Sequence, residues 1–124
     1  MSTNHKPLSD DPSNEDPVLI YSTFPSLTDA ERVGSDLVER GMAACVNIIP
    51  GMTSIYVWNG EKHRESETVM IVKTRHGLAG QVISKARRLH PYTNPALLII
   101  PVLGGSEAFC SWIAEQTAAP RIAG

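Results

Sequence analysis

The dipeptide Asn59-Gly60 constrains this chain most. A type I′ turn needs positive φ at both central residues, and Asn-Gly between apolar runs is the strongest short signal for it. The runs on either side are long: Met42–Trp58, "MAACVNIIPGMTSIYVW", and Glu61–Thr74, "EKHRESETVMIVKT". At about 3.3 Å per residue either arm would extend roughly 45–55 Å, whereas most strands have about five or six residues. Such a ribbon must bend and project past its own domain. Pro50-Gly51 is the place to bend it, because proline cannot donate to a ladder and suits a bulge or an edge. Exposed ribbon edges invite pairing with another chain, so the hairpins are expected to associate subunits.

The remaining elements surround this ribbon. Val18–Phe24, "VLIYSTF", reads as a strand. Thr28 reads as an N-cap with Glu31 three residues on, a capping box. Ala30, Val33, Leu37 and Val38 then recur at helical spacing as far as the stop at Gly41, giving a helix over Thr28–Arg40. A second helix starts at Gly77, turns Val82, Ile83, Ala86 and Leu89 inward, and is halted at His90 by Pro91. Ala96–Val102, "ALLIIPV", is apolar at consecutive positions, as a strand is when both faces are covered or its edge is buried. Ser106 caps a short helix carrying Phe109, Trp112 and Ile113. The order β-α-β-β-α-β plus a terminal helix predicts an α/β ferredoxin-like sandwich. Residues 1–17 are polar and proline-containing and are expected to be a disordered tail, with the domain over 18–118 and a short tail over 119–124.

A length of 124 residues fits one domain, and a net charge of −2 provides no electrostatic footprint for nucleic acid or an anionic membrane. The longest apolar run, "ALLII", falls far short of a membrane span, and no signal-peptide core is visible near Met1. Cys45 and Cys110 lie far apart without a C-x-x-C, so both read as thiols in a reducing cytosol.

Candidate chemistry is sparse. "VLGGSEA" places Gly104-Gly105 before a helix but lacks the lysine and spacing of a P-loop. His63, His76 and His90 form no i, i+4 pair, so a metal site must be assembled by the fold or by subunit contact. His63 reads as solvated near the hairpin tip and His76 as a loop residue. His90 either complements a helix C-terminus as a cation or serves as a ligand. Glu67 and Lys73 share a strand face, being six residues apart at period two. If the turn sets the register, Trp58 faces Glu61 and Cys45 faces Thr74; one extra residue at Pro50-Gly51 moves Cys45 opposite Lys73. An ammonium there would raise the thiolate fraction of Cys45.

"RGMAACVNIIPGMTSIYVWNGE", then Lys73-Thr74, then "LHPYTNP" and "SEAFCSWI", together resemble the CutA divalent-cation tolerance family over about residues 18 to 115. The resemblance implies a cytoplasmic homotrimer of ferredoxin-like subunits, similar in architecture to PII signal-transduction proteins and joined by their long hairpins. It implies tolerance to copper and other divalent metals, and copper binding. The family's cysteine falls on Cys45, and its cleft residues on Trp58, Glu67, Lys73, His90 and Tyr92.

The leading expectation is a trimeric, non-enzymatic protein that binds copper or another divalent cation, with Cys45 and His90 as ligands and Trp58, Glu67, Lys73 and Tyr92 lining a cleft. The alternative is a PII-like sensor that binds a small anion in an inter-subunit cleft through Lys73, Tyr92 and the backbone near Gly104-Gly105. An enzyme with Lys73 or Cys45 as nucleophile is a third reading, but no base at the required spacing is visible.

Overall fold

A computed structural model describes residues 13–121, so most of the expected N-terminal tail and positions 122–124 lie outside the described residues. Within them the order is β1 (Pro17–Phe24), α1 (Leu27–Glu39), β2 (Cys45–Trp58), β3 (Glu61–Arg75), a 3-10 turn (His76–Leu78), α2 (Ala79–Leu89), β4 (Leu97–Pro101) and α3 (Glu107–Gln116). The strands form one antiparallel sheet in the order β2-β3-β1-β4. This is the expected split βαβ topology, with the terminal helix added.

Alternation along the strands builds the core. Val18, Ile20, Ser22 and Phe24 of β1 and Met70, Val72 and Thr74 of β3 are buried on one sheet face. There they meet Ala30, Val33 and Leu37 of α1 and Val82 and Ala86 of α2. Thr74, polar inside this layer, donates its hydroxyl to the Met42 carbonyl at 2.7 Å, so no buried group goes unpaired for it. The opposite face carries Leu98 and Ile100 of β4 and is capped at one end by α3, where Phe109 lies under the Lys73 ammonium.

Two local expectations change. The cap of α1 is Ser26 rather than Thr28: its hydroxyl accepts from the Asp29 N–H at 3.1 Å and donates to the Asp29 carboxylate at 2.9 Å. The capping pair is thus Ser26 and Asp29, shifted toward the strand by two residues, because Pro25 ends the extended chain immediately before it. Val38 is exposed and Gly34 occupies the inward stripe, since Ala30, Val33, Gly34 and Leu37 fall at i, i+3, i+4 and i+7.

The hairpin is as long as the sequence demands, with 14 residues in β2 and 15 in β3. Its turn has φ of 53° at Asn59 and 79° at Gly60, the positive pair a type I′ turn requires. The register is continuous from Trp58↔Glu61 to Met52↔Glu67, then shifts by one and continues from Ile49↔Val69 to Cys45↔Lys73. The extra residue lies at Pro50-Gly51, with Gly51 at φ 83°, and this bulge places Cys45 opposite Lys73. Beyond the bulge the ribbon outruns the helical layer: Ile55 and Val57 are 61% and 68% exposed. β4 is likewise an open edge, with Leu98, Ile99 and Ile100 at 60%, 47% and 43% exposure. A consecutive apolar run that the chain leaves uncovered is the feature that one copy does not explain.

Candidate functional site

The site residues divide between the two ends of the sheet. At the ribbon end, antiparallel register places Tyr56 directly across from His63, and the rings stack with centroids 5.2 Å apart and planes inclined by 17°. The Tyr56 hydroxyl reaches diagonally to donate to Glu65 Oε1 at 2.9 Å. That bond is the main reason the Tyr56 phenol is harder to ionise than usual, with slight burial and the charge of Glu65 adding to it. Two residues further along β3, Glu67 Oε2 accepts from the Tyr92 hydroxyl at 2.8 Å. Burial, followed by that carboxylate, pushes the Tyr92 phenol well above the ordinary tyrosine range. Trp58, Thr93 and Asn94 complete a cleft of about 490 Å³.

Tyr92 is placed by His90. Pro91 cannot continue α2, so the chain leaves the helix at His90 in an extended conformation and the ring turns back toward β1. The imidazole stacks on Phe24 at 4.1 Å and 16°. Its Nε2 lies 2.9 Å from the Thr23 carbonyl and 3.3 Å from the Ser22 hydroxyl, and its Nδ1 accepts from the Tyr92 N–H at 3.1 Å. A carbonyl can only accept, so the proton resides on Nε2 and the neutral ring satisfies all its partners. His90 therefore supports the corner as a neutral, buried ring rather than as a cation complementing the helix end.

Burial lowers the pKa of His90, outweighing the opposing pull of its bond to Thr23. The unfolded chain takes up this proton near pH 6.5 and the folded chain only at lower pH. The unfolded state thus binds more protons in that window, so the contribution to stability is complete above about pH 6.5 and is lost as pH falls below it. Between pH 7 and 5, the melting temperature of the wild type is expected to fall more steeply than that of His90→Gln. Parallel slopes in the two proteins would remove His90 from this role.

At the other end, Cys45 pairs with Lys73 across β2 and β3. The Lys73 ammonium is drawn over the Phe109 ring, 5.4 Å from its centroid, and Asn47 Nδ2 lies 3.9 Å from the Cys45 sulfur. Lys73, Gly104-Gly105 and Phe109 border a second cavity of about 320 Å³. Both cysteines are free thiols, and Cys110 is buried there on α3.

The structure thus brings together Trp58, Glu67 and Tyr92, with His90 behind them, and separates this group from Cys45 and Lys73. His90 lies against Ser22 and Thr23, while Lys73 pairs with Leu19; four residues of strand separate these positions, about 13 Å. The anion contacts expected from Lys73, Tyr92 and Gly104-Gly105 therefore fall in two different cavities. No three His, Cys, Asp or Glu side chains converge to hold a metal among the described residues. Tyr56, His63 and Glu65 were not anticipated as site residues. The register arithmetic from Asn59-Gly60 already set 56 against 63, and extending it along β3 was the available signal.

Comparison with known proteins gives this geometry a family. Residues 18–116 match the family described as CutA1 divalent ion tolerance protein. The divalent-cation tolerance protein CutA of Thermus thermophilus is 40% identical over 103 residues, covering 83% of this chain and 98% of that protein. The crystal structure of the divalent ion tolerance protein CutA1 of Ehrlichia chaffeensis superposes with a TM-score of 0.81 at 34% identity, covering 85% of this chain and 98% of its own. The Archaeoglobus fulgidus structure, described as a periplasmic divalent cation tolerance protein CutA, gives 0.79 at 40% identity, covering 82% and 98%. With the strand order, the ribbon and its bulge, and the match along the whole domain in agreement, the chain belongs to the CutA1 divalent ion tolerance family.

Proposed function

We propose that the chain acts in divalent-cation tolerance as a cytoplasmic homotrimer that binds copper or a related divalent cation. One observation carries the proposal: among the described residues of one chain the donor groups are scattered, while the apolar edge of β4 is open to another copy. Association would cover β4 and the projecting ribbon and bring donors of one subunit toward those of the next. Cys45 and His90 are the proposed soft donors, a thiolate for Cu(I) and an imidazole for either oxidation state. In one chain they occupy separate ends of the sheet, so each would complete its coordination with groups from another subunit. His90 would exchange its bonds to Ser22 and Thr23 in doing so. Trp58, Glu67 and Tyr92 line the ligand cleft, and Lys73 the second cavity. The free thiols favour a reducing compartment, and no helix among the described residues is long and apolar enough to cross a membrane.

The test is calorimetric titration of copper into the wild type, Cys45→Ser, His90→Ala and the double variant, each first checked for its melting temperature. The double variant is expected to bind at least tenfold more weakly. Unchanged affinity in a folded double variant would sink the assignment of donors. Light scattering of the wild type is expected to give three times the chain mass of 13.5 kDa.

A further inference from the structure

The cleft at the ribbon end has walls of one kind and charge of one sign. The stacked pair Tyr56 and His63, together with Trp58 and Tyr92, provide ring surface, and Glu65 and Glu67 provide negative charge. Among the described residues, no lysine or arginine lines it. Each carboxylate has one oxygen held by a tyrosine hydroxyl, Glu65 by Tyr56 at 2.9 Å and Glu67 by Tyr92 at 2.8 Å. Those bonds tie both carboxylates to the cleft wall they line.

An anion entering this space would meet two carboxylates and no counter-charge. A hard divalent ion would find too few donors, since it takes about six oxygens and no convergent set of three acidic, histidine or cysteine side chains exists among the described residues. A volume of about 490 Å³ is also that of a small-molecule site rather than an ion cage. Aromatic faces attract a cation through the ring quadrupole, most effectively with carbon-bearing ammonium groups, and a nearby carboxylate supplies the charge.

We propose that this cleft binds a small organic ammonium cation, an alkylamine or a quaternary ammonium compound. Its charge lies between Glu65 and Glu67, and its alkyl groups lie against Trp58 and Tyr92. This assigns a ligand class to the cleft described above, beside His90, and requires no metal at Cys45 or His90.

The test uses the full chain at pH 8 with EDTA present, so that a failure of metal binding leaves it untouched. Tetramethylammonium and butylammonium chlorides are titrated at constant ionic strength against sodium chloride. Trp58 emission is followed in a Trp112→Phe background, with butanol as the uncharged control. Both ammonium probes are expected to produce a saturable change, about tenfold weaker in Glu65→Gln with Glu67→Gln, and calorimetric titration of Trp58→Leu, which has no emission to follow in this background, is expected to show a similar loss. Trp58 and Glu65 are exposed in the single chain and Glu67 is half-buried against Tyr92, so each variant is first checked for the melting temperature and mass of the wild type. A response no different from that of sodium chloride would overturn the proposal. So would equal binding of butanol, or undiminished binding by the double glutamine variant.

Discussion

Phe24→Ala is expected to lower folding stability by about 3–5 kcal/mol, the usual cost of emptying a fully buried aromatic position. Phe24 has no exposed surface, ends β1, and carries the His90 ring on its face at 4.1 Å. Removing it opens a cavity between β1 and the helices and takes away the surface that orients the imidazole. The effect should reach the cleft. His90 holds the Tyr92 backbone, and the Tyr92 hydroxyl holds Glu67, so the corner loosens in sequence. Phe24→Leu retains apolar volume without a ring and is expected to cost about 1.5 kcal/mol. Denaturant unfolding at fixed protein concentration checks both, because association contributes to the apparent stability. A cost below about 1 kcal/mol for the alanine variant would show that the core does not depend on this ring.

The double variant Leu98→Asp, Ile100→Asp is expected to be monomeric at micromolar concentration while retaining its circular dichroism. These side chains point away from the helical layer and are 60% and 43% exposed in the single chain, so their replacement removes nothing from its core. In a subunit contact, each buried aliphatic side chain contributes about 1.5–3 kcal/mol, and an unpaired carboxylate forced into the same place costs energy instead. The two changes together should therefore abolish the contact. Light scattering makes the measurement. A variant with the wild-type mass would exclude β4 from the association.

Much of this was legible because it is local. Asn59-Gly60 sets the turn by its φ preferences, and counting outward from it sets Trp58 against Glu61. Pro50-Gly51 forecast the bulge, hence the pairing of Cys45 with Lys73. The cap of α1 lies two residues before Thr28 because Ser26 and Thr28 are equally good caps in isolation, and the choice is made by where β1 releases the chain. The cleft was legible only in part. Trp58, Glu67 and Tyr92 came from family resemblance, whereas the ring pair and Glu65 depend on a diagonal contact between strands. His90 resembled a helix-end cation because its neighbours in sequence give no hint of Phe24, 66 positions earlier, beneath the ring.

The bulge at Pro50-Gly51 also acts as a phase shifter. On the sheet face away from the helices, β2 presents odd positions before it, Cys45, Asn47 and Ile49, and even positions after it, Met52, Ser54, Tyr56 and Trp58. Deleting Gly51 would set Pro50 opposite Thr68 in one unbroken alternation, with Cys45, Asn47, Ile49, Met52, Ser54, Tyr56 and Trp58 still on that face. What would be lost is the local bend and added twist that a bulge gives its strand. The inserted residue therefore sets where the ribbon points, while the side chains it presents are fixed by pairing with β3.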